Sequence, residues 1–218
     1  MRSFKNLVFD LDGTLVDSSE GVIEAVNYSL KQLGEPSQPP EAIKPFIGYP
    51  LEKMYPNFTD APIDKLLEHF QERAAQTVIS STRVLPGVEI AIRELRSRGY
   101  RLAIATTKIK PHVIGILEKF GWSQLFETSA GSDEVEQVKP DPSILHLVLR
   151  RLDARASETM MIGDTVNDVL AARAIPMTVT AVASLYGERQ KLLASQPDYF
   201  IEQLGDLSGI LDHGPENV

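Results

Sequence analysis

The sequence predicts an α/β protein: a parallel sheet flanked by helices, with a small α-helical domain inserted after the first strand. Three observations predict it. From Val84 to Ile201, short apolar runs of strand length alternate with stretches of helical periodicity, the pattern of βα units and a parallel sheet. One further apolar run stands alone near the N-terminus and ends at Asp10. Between that run and the regular alternation, from about 17 to 82, two helical stretches flank a proline-rich segment. The core is then residues 1–16 and 83–218, and the inserted domain is residues 17–82.

Each element has a local reason. Phe4 to Phe9 carries Leu7, Val8 and Phe9 and stops sharply at Asp10, as a buried strand does. Gly13 permits a tight turn after it. Asp17 is placed to cap a helix, with Glu20 completing a capping box, and Val22, Val26, Leu30 and Leu33 follow at helical spacing up to Gly34. Pro36, Pro39, Pro40, Pro45, Pro50, Pro56 and Pro62 then exclude any long helix, leaving short helices and loops. Ile63, Leu66, Leu67, Phe70 and Ala74 resume helical periodicity. Val88, Ile92 and Leu95 mark the next helix, closed by Gly99. Leu102 to Ala105 is a strand ending at Thr106. Pro111 starts a helix that Gly121 ends. Phe126 to Ser129, Met160 to Ile162, Thr178 to Val182 and Tyr199 to Ile201 are strands. Helices begin near Pro142, with Asp141 as cap, and pass through Val169 and Ala172.

Composition bounds the function. A chain of 218 residues, 43% hydrophobic and 24% charged, is an ordinary globular protein. Its net charge of −8, with only short cationic patches such as Arg93, Arg96 and Arg98, argues against nucleic acid as a partner. The absence of cysteine removes disulfides, thiolate catalysis and thiolate metal sites. Asp10 and Asp12 interrupt the N-terminal apolar run, unlike a secretory signal, and no apolar stretch reaches the ~20 residues of a membrane helix. The chain therefore reads as cytoplasmic, with no membrane partner.

Open parallel sheets bind ligands beyond the carboxyl ends of their strands. At those ends stand Asp10 and Asp12, Thr106, and Asp164. Three carboxylates around one point require a cation, and an all-oxygen donor set suits Mg²⁺. Such a site fits phosphoryl transfer, where catalysis is mainly positioning and charge neutralisation. One carboxylate can act as nucleophile through an aspartyl-phosphate. A second, two residues on, can protonate the leaving oxygen and later activate water. Lys139, in a Lys-Pro-Asp-Pro turn, is a candidate to offset phosphate charge.

Four segments in order carry a resemblance: Asp10-Leu11-Asp12-Gly13-Thr14-Leu15; Thr106 closing Leu102-Ala103-Ile104-Ala105; Lys139 in Val138-Lys139-Pro140-Asp141-Pro142; and Gly163-Asp164-Thr165-Val166-Asn167-Asp168. They resemble the haloacid dehalogenase superfamily, in particular its phosphoglycolate-phosphatase-like branch, over nearly the whole chain. The resemblance implies a Rossmann-like core with an inserted helical cap and a Mg²⁺-dependent phosphatase acting on a small-molecule phosphate ester. It implies Asp10 as nucleophile and Asp12 as general acid and base, with the Asp12 backbone carbonyl on the metal. It gives Thr106 and Lys139 as phosphate-binding and catalytic groups, and Asp164 and Asp168 as metal ligands or supports beside Asp10 and Asp12. The branch often has Asn after the second-motif threonine; here Thr107 stands there, followed by Lys108, so Thr107 is the candidate phosphate contact. Ile47-Gly48-Tyr49-Pro50 resembles the family's cap loop and puts Tyr49 near substrate. The same resemblance admits a β-phosphoglucomutase-type phosphosugar mutase, a pyrophosphatase, or a retired regulatory protein. Thr14 leans towards phosphatase, and the intact set of Asp10, Asp12, Lys139 and Asp164 argues against a retired enzyme.

Other residues read as ordinary structure. His69, His112, His146 and His213 lack metal-ligand spacing and read as surface or helix residues. Trp122 reads as a packing anchor, Arg83 as a surface residue near the return to the core, and Asp133, Glu134 and Glu136 as a solvated acidic loop.

Overall fold

The structure, a computed structural model, describes residues 4–186 and 189–213, the last of these, His213, by its backbone alone. In chain order the elements are β1 (Asn6–Phe9), β2 (Val16–Asp17), α1 (Ser19–Gln32), α2 (Pro40–Ile43), α3 (Leu51–Met54), α4 (Ile63–Ser81), β3 (Arg83–Val84), α5 (Val88–Ser97), β4 (Arg101–Ala105), α6 (Lys110–Lys119), β5 (Phe126–Ala130), α7 (Ser143–Leu152), β6 (Thr159–Gly163), α8 (Val166–Arg173), β7 (Thr178–Val182), α9 (Arg189–Ala194), β8 (Tyr199–Ile201) and α10 (Leu207–His213). Among the described residues no helix is long and apolar enough to cross a membrane.

Six strands form one parallel sheet in the order β5-β4-β1-β6-β7-β8. The chain steps from β1 to β4 and β5 on one side, then crosses to β6, β7 and β8 on the other. The order reverses between β1 and β6, where such sheets open a ligand crevice. Both faces are covered, so successive β1 residues serve different layers. Leu7 and Phe9 join a core with Ile92, Val113 and Trp122. Val8 joins the opposite core with Ile144, Val148 and Val169. A strand buried on both faces has no need of polar alternation, which is why Leu7 to Phe9 is uniformly apolar.

The segment between β2 and β3 is helical. Its core brings Val22, Val26 and Leu30 of α1 against Leu66, Ala74 and Val78 of α4. Gly21 makes this close packing possible: a Cβ there would lie 2.8 Å from the Val78 Cα. The proline-rich stretch forms only two one-turn α-helices, α2 and α3, and short 3₁₀ turns. At the junction with the sheet, β2 and β3 pair antiparallel through Val16–Val84 and Asp17–Arg83.

The expected capping box at Asp17 is not what forms. Ser18 takes the cap position without a side-chain cap bond. The Asp17 carboxylate accepts from the Ser19 N–H at 2.9 Å, while Glu20 pairs with exposed Arg83 at 3.0 Å. The β2–β3 ladder needs Asp17 extended, so the helix starts later. Trp122 is fully buried, and its indole N–H reaches Glu89 at 2.5 Å.

Candidate active site

β1 ends at Asp10, whose N–H still follows the ladder, donating to the Ile162 carbonyl at 2.8 Å. The next residues turn back at once. The Leu15 and Val16 amides both donate to the Leu11 carbonyl, and Gly13 N–H donates to Val16 O at 2.8 Å. Fully buried Leu11 and Leu15 anchor this turn in the core. Gly13 has φ +82°, and a Cβ there would lie 2.2 Å from an Asp164 carboxylate oxygen. Gly13→Ala is therefore expected to cost about 1–3 kcal/mol of stability from backbone strain and to displace Asp164. Chemical denaturation of the variant checks the first effect, and its catalytic activity the second.

Asp10, Asp164 and Asp168 are buried and offer oxygens within 4.8 Å of one another. Lys139, 1% exposed, is placed among them. Its ammonium donates to Asp10 Oδ1 at 2.7 Å, Asp168 Oδ1 at 2.5 Å and the Ala105 carbonyl at 2.9 Å. Asp168 is fixed twice more: its other oxygen accepts from the Thr165 N–H at 3.0 Å and the Thr165 hydroxyl at 2.6 Å, closing a capping box on α8. Asp164 accepts from Thr14 at 3.0 Å and Ser184 at 2.7 Å.

Electrostatics follow from this geometry. Burial, with the charges of Asp168 and Asp12, raises the Asp10 carboxyl to about 7 against the pull of Lys139. Burial and the charges of Asp10 and Asp168 push Asp164 well above the usual carboxylate range. Burial opposes the Lys139 charge, yet Asp10 and Asp168 outweigh it and hold the ammonium above the ordinary lysine value. Ionised, the three carboxylates outnumber their one ammonium by two charges, and no sulfur or imidazole belongs to the group. That donor set fits a hard divalent cation.

Asp12 stands outside this trio. Its carboxylate accepts from Ser18 at 2.5 Å and pairs with Lys108 at 3.0 Å. Thr106 is buried beside Asp10 at the end of the neighbouring strand, and its hydroxyl accepts from the Lys108 N–H at 3.2 Å. The Thr107 hydroxyl is turned elsewhere and donates to the Gly48 carbonyl of the helical segment at 3.1 Å.

Sequence reasoning missed several partners. Ser18 and Ser184 are short hydroxyl residues with no distinguishing pattern, and Thr14, singled out within the first motif, was not read as the partner of Asp164. Lys108 stood out only as a departure from the family, yet it grips Asp12. His112 is a helix residue, on α6, but a buried one: it is 8% exposed, and burial and nearby Lys108 lower its imidazole to about 4. The acidic loop is also more ordered than expected. Glu134 accepts from the Gly131 N–H and pairs with Arg151 at 2.8 Å, and Asp133 accepts from the Lys110 N–H at 2.6 Å. The His213 side chain lies outside the described residues.

The family model for haloacid dehalogenase-like hydrolases matches residues 7–182, and the chain belongs to that family. It is 33% identical to a plasmid-borne phosphoglycolate phosphatase of Cupriavidus necator, covering 94% of this chain and 92% of that protein. It is 31% identical to the pyrophosphatase PpaX of Bacillus velezensis, covering 92% and 93%. A haloacid dehalogenase-like hydrolase structure from Streptococcus pneumoniae superposes with a TM-score of 0.89 at 29% identity, over 97% of this chain and 100% of that one.

Proposed function

We propose that the protein is a Mg²⁺-dependent phosphatase that hydrolyses a small-molecule phosphate monoester through an aspartyl-phosphate on Asp10. The observation that carries this reading is the convergence of three buried carboxylates, Asp10 and Asp164 beyond the carboxyl ends of β1 and β6 and Asp168 in the first turn of α8, with one buried lysine paired to Asp10 and Asp168. Fold alone would not carry it, since one fold hosts many chemistries. In this reading residues 17–82 are a cap over a core made of residues 1–16 and 83–218.

Asp10, Asp164, Asp168 and the Asp12 backbone would hold the cation, which when bound neutralises charge on the phosphoryl oxygens. A carboxylate oxygen of Asp10 attacks phosphorus and the bond to the ester oxygen breaks. Asp12 gives that oxygen its proton. Asp12 then takes a proton from water as the water oxygen attacks phosphorus, and inorganic phosphate leaves Asp10 free. Thr106 and Lys139 hold the phosphoryl group, and Lys139 also keeps Asp10 aligned. The Thr107 hydroxyl, engaged by Gly48, acts at the cap contact in this scheme.

The test is phosphate release from phosphoglycolate, pyrophosphate, sugar phosphates and p-nitrophenyl phosphate, with Mg²⁺ and with a chelator. Metal-dependent release supports the reading. Isomerisation of β-glucose 1-phosphate without release would replace it with a mutase.

Two predictions arise here. Asp12→Asn should still phosphorylate Asp10 from p-nitrophenyl phosphate, whose leaving group needs little protonation, and then hydrolyse slowly. Rapid quench should show the phosphoenzyme accumulating, whereas turnover equal to wild type would exclude Asp12 as acid and base. The second concerns pH. The folded Asp10 carboxyl binds its proton up to about 7, while an unfolded one releases it near pH 4. The folded state thus holds the extra proton, and without metal this contribution to stability is lost as pH rises through that window. A cation favours the ionised form, so Mg²⁺ at about 100 times its Kd should raise Tm by about 5–10 °C at pH 8. The same Mg²⁺ concentration should raise Tm less at pH 5, where proton competition weakens binding, and equal increases would refute the linkage.

A further inference from the structure

The phosphatase reading leaves open what the phosphate is attached to, and the space beside the site bears on that. A cavity of about 620 Å³ lies between the helical segment and the core loops, reaching Asp12, Thr107 and Lys108. The helical segment lines it with Val22, Phe46, Met54, Leu67, Phe70 and Val78, all members of, or packed against, its own apolar cluster. A ligand group entering here would meet aliphatic and aromatic carbon.

The charges around the cavity point the same way. Among the described residues, no arginine lines it, and the lining lysines are Lys53 and Lys108. Lys108 is engaged by Asp12 at 3.0 Å and Ser18 at 3.4 Å. His112 also lines the space, but burial and Lys108 keep its imidazole neutral at pH 7, so it adds no cation. Against these stand Asp12, Glu52, Asp133 and Glu136. A carboxylate or second phosphate in this space would lose water and gain few cations in exchange, while facing an excess of like charge. An apolar group would gain from leaving water.

We propose that the preferred substrate is a phosphate monoester whose alcohol portion is uncharged and apolar or aromatic, seated against the Phe46–Phe70 side of this cavity. This rests on the phosphatase reading and narrows it, setting phosphoglycolate and pyrophosphate below such esters.

The experiment compares kcat/KM of the full chain with Mg²⁺ for phenylpropyl phosphate, carboxybutyl phosphate, phosphoglycolate, pyrophosphate and p-nitrophenyl phosphate. The first two are primary alkyl esters with closely similar leaving groups, so their ratio reports the cavity and not the chemistry. Phenylpropyl phosphate is expected to exceed carboxybutyl phosphate and phosphoglycolate by about tenfold or more, the scale of apolar pocket discrimination. Glu52→Lys and Glu136→Lys, both at exposed positions, should shift that ratio towards the carboxylate ester. Turnover led by carboxybutyl phosphate, phosphoglycolate or pyrophosphate, or a ratio unmoved by both lysine variants, overturns the leaving-group assignment while the phosphatase reading stands. No turnover of any of these compounds, p-nitrophenyl phosphate included, overturns the phosphatase reading and this proposal with it.

Discussion

Asp10→Asn is expected to lower phosphate release from any ester by on the order of 10⁴-fold or more, because an amide oxygen is too weak a nucleophile to form the proposed aspartyl-phosphate. The fold should survive the change. Asparagine has nearly the same shape, its amide oxygen can still accept from Lys139, and one charge leaves a buried cluster whose carboxylates repel one another. Unchanged circular dichroism and an equal or higher metal-free Tm would separate lost chemistry from lost structure. A competing mechanism would keep Asp10 only as a metal ligand and let water attack directly. In that case raising the Mg²⁺ concentration should restore much of the rate. A loss that persists at saturating Mg²⁺ assigns the nucleophile, and retention of more than a few per cent of wild-type turnover removes Asp10 from that role.

How much of this was legible before the structure depends on how local each signal is. β1, β4 and β6 are buried on both faces, so each reads as a short apolar run, and their polar ends were visible as Asp10, Thr106 and Asp164. The prolines of residues 36–62 excluded a long helix by steric necessity, and only one-turn helices formed. The β2–β3 ladder was invisible because two residues per strand carry no periodicity. Its consequence, a helix with Ser18 and not Asp17 at the cap position, was missed with it. Long-range polar pairs were equally hidden. Tyr186 donates to Asp17 at 2.5 Å across 169 positions and enters the apolar cluster of the helical segment, yet nothing local marks the pairing of the two. The burial of His112 follows from how α6 and the Lys108 loop close on the site, which is a property of packing and not of histidine spacing.

Lys139→Met should show how tightly the site's charges are balanced. The side chain is buried and contacts two carboxylates and a backbone carbonyl. Methionine fills similar volume without charge or donors, so Asp10 and Asp168 lose their shared cation and the Ala105 carbonyl loses this donor. Breaking a buried pair in this way costs about 3–5 kcal/mol. The cost should depend on pH in a definite direction. Without the ammonium, the buried Asp10 carboxyl titrates still higher than its value of about 7 and stays protonated further above the unfolded value near 4. The variant's folded state then binds more protons than its unfolded state, and its stability falls as pH rises. Urea denaturation without metal should therefore show a larger gap from wild type at pH 8 than at pH 5. Phosphate release should also fall, by about 10²–10³-fold, since the proposed mechanism loses a preorganised cation at the transferring group. A stability gap independent of pH would mean that Lys139 matters for packing alone. A variant as active as wild type would mean that the cation, once bound, balances the carboxylates without it.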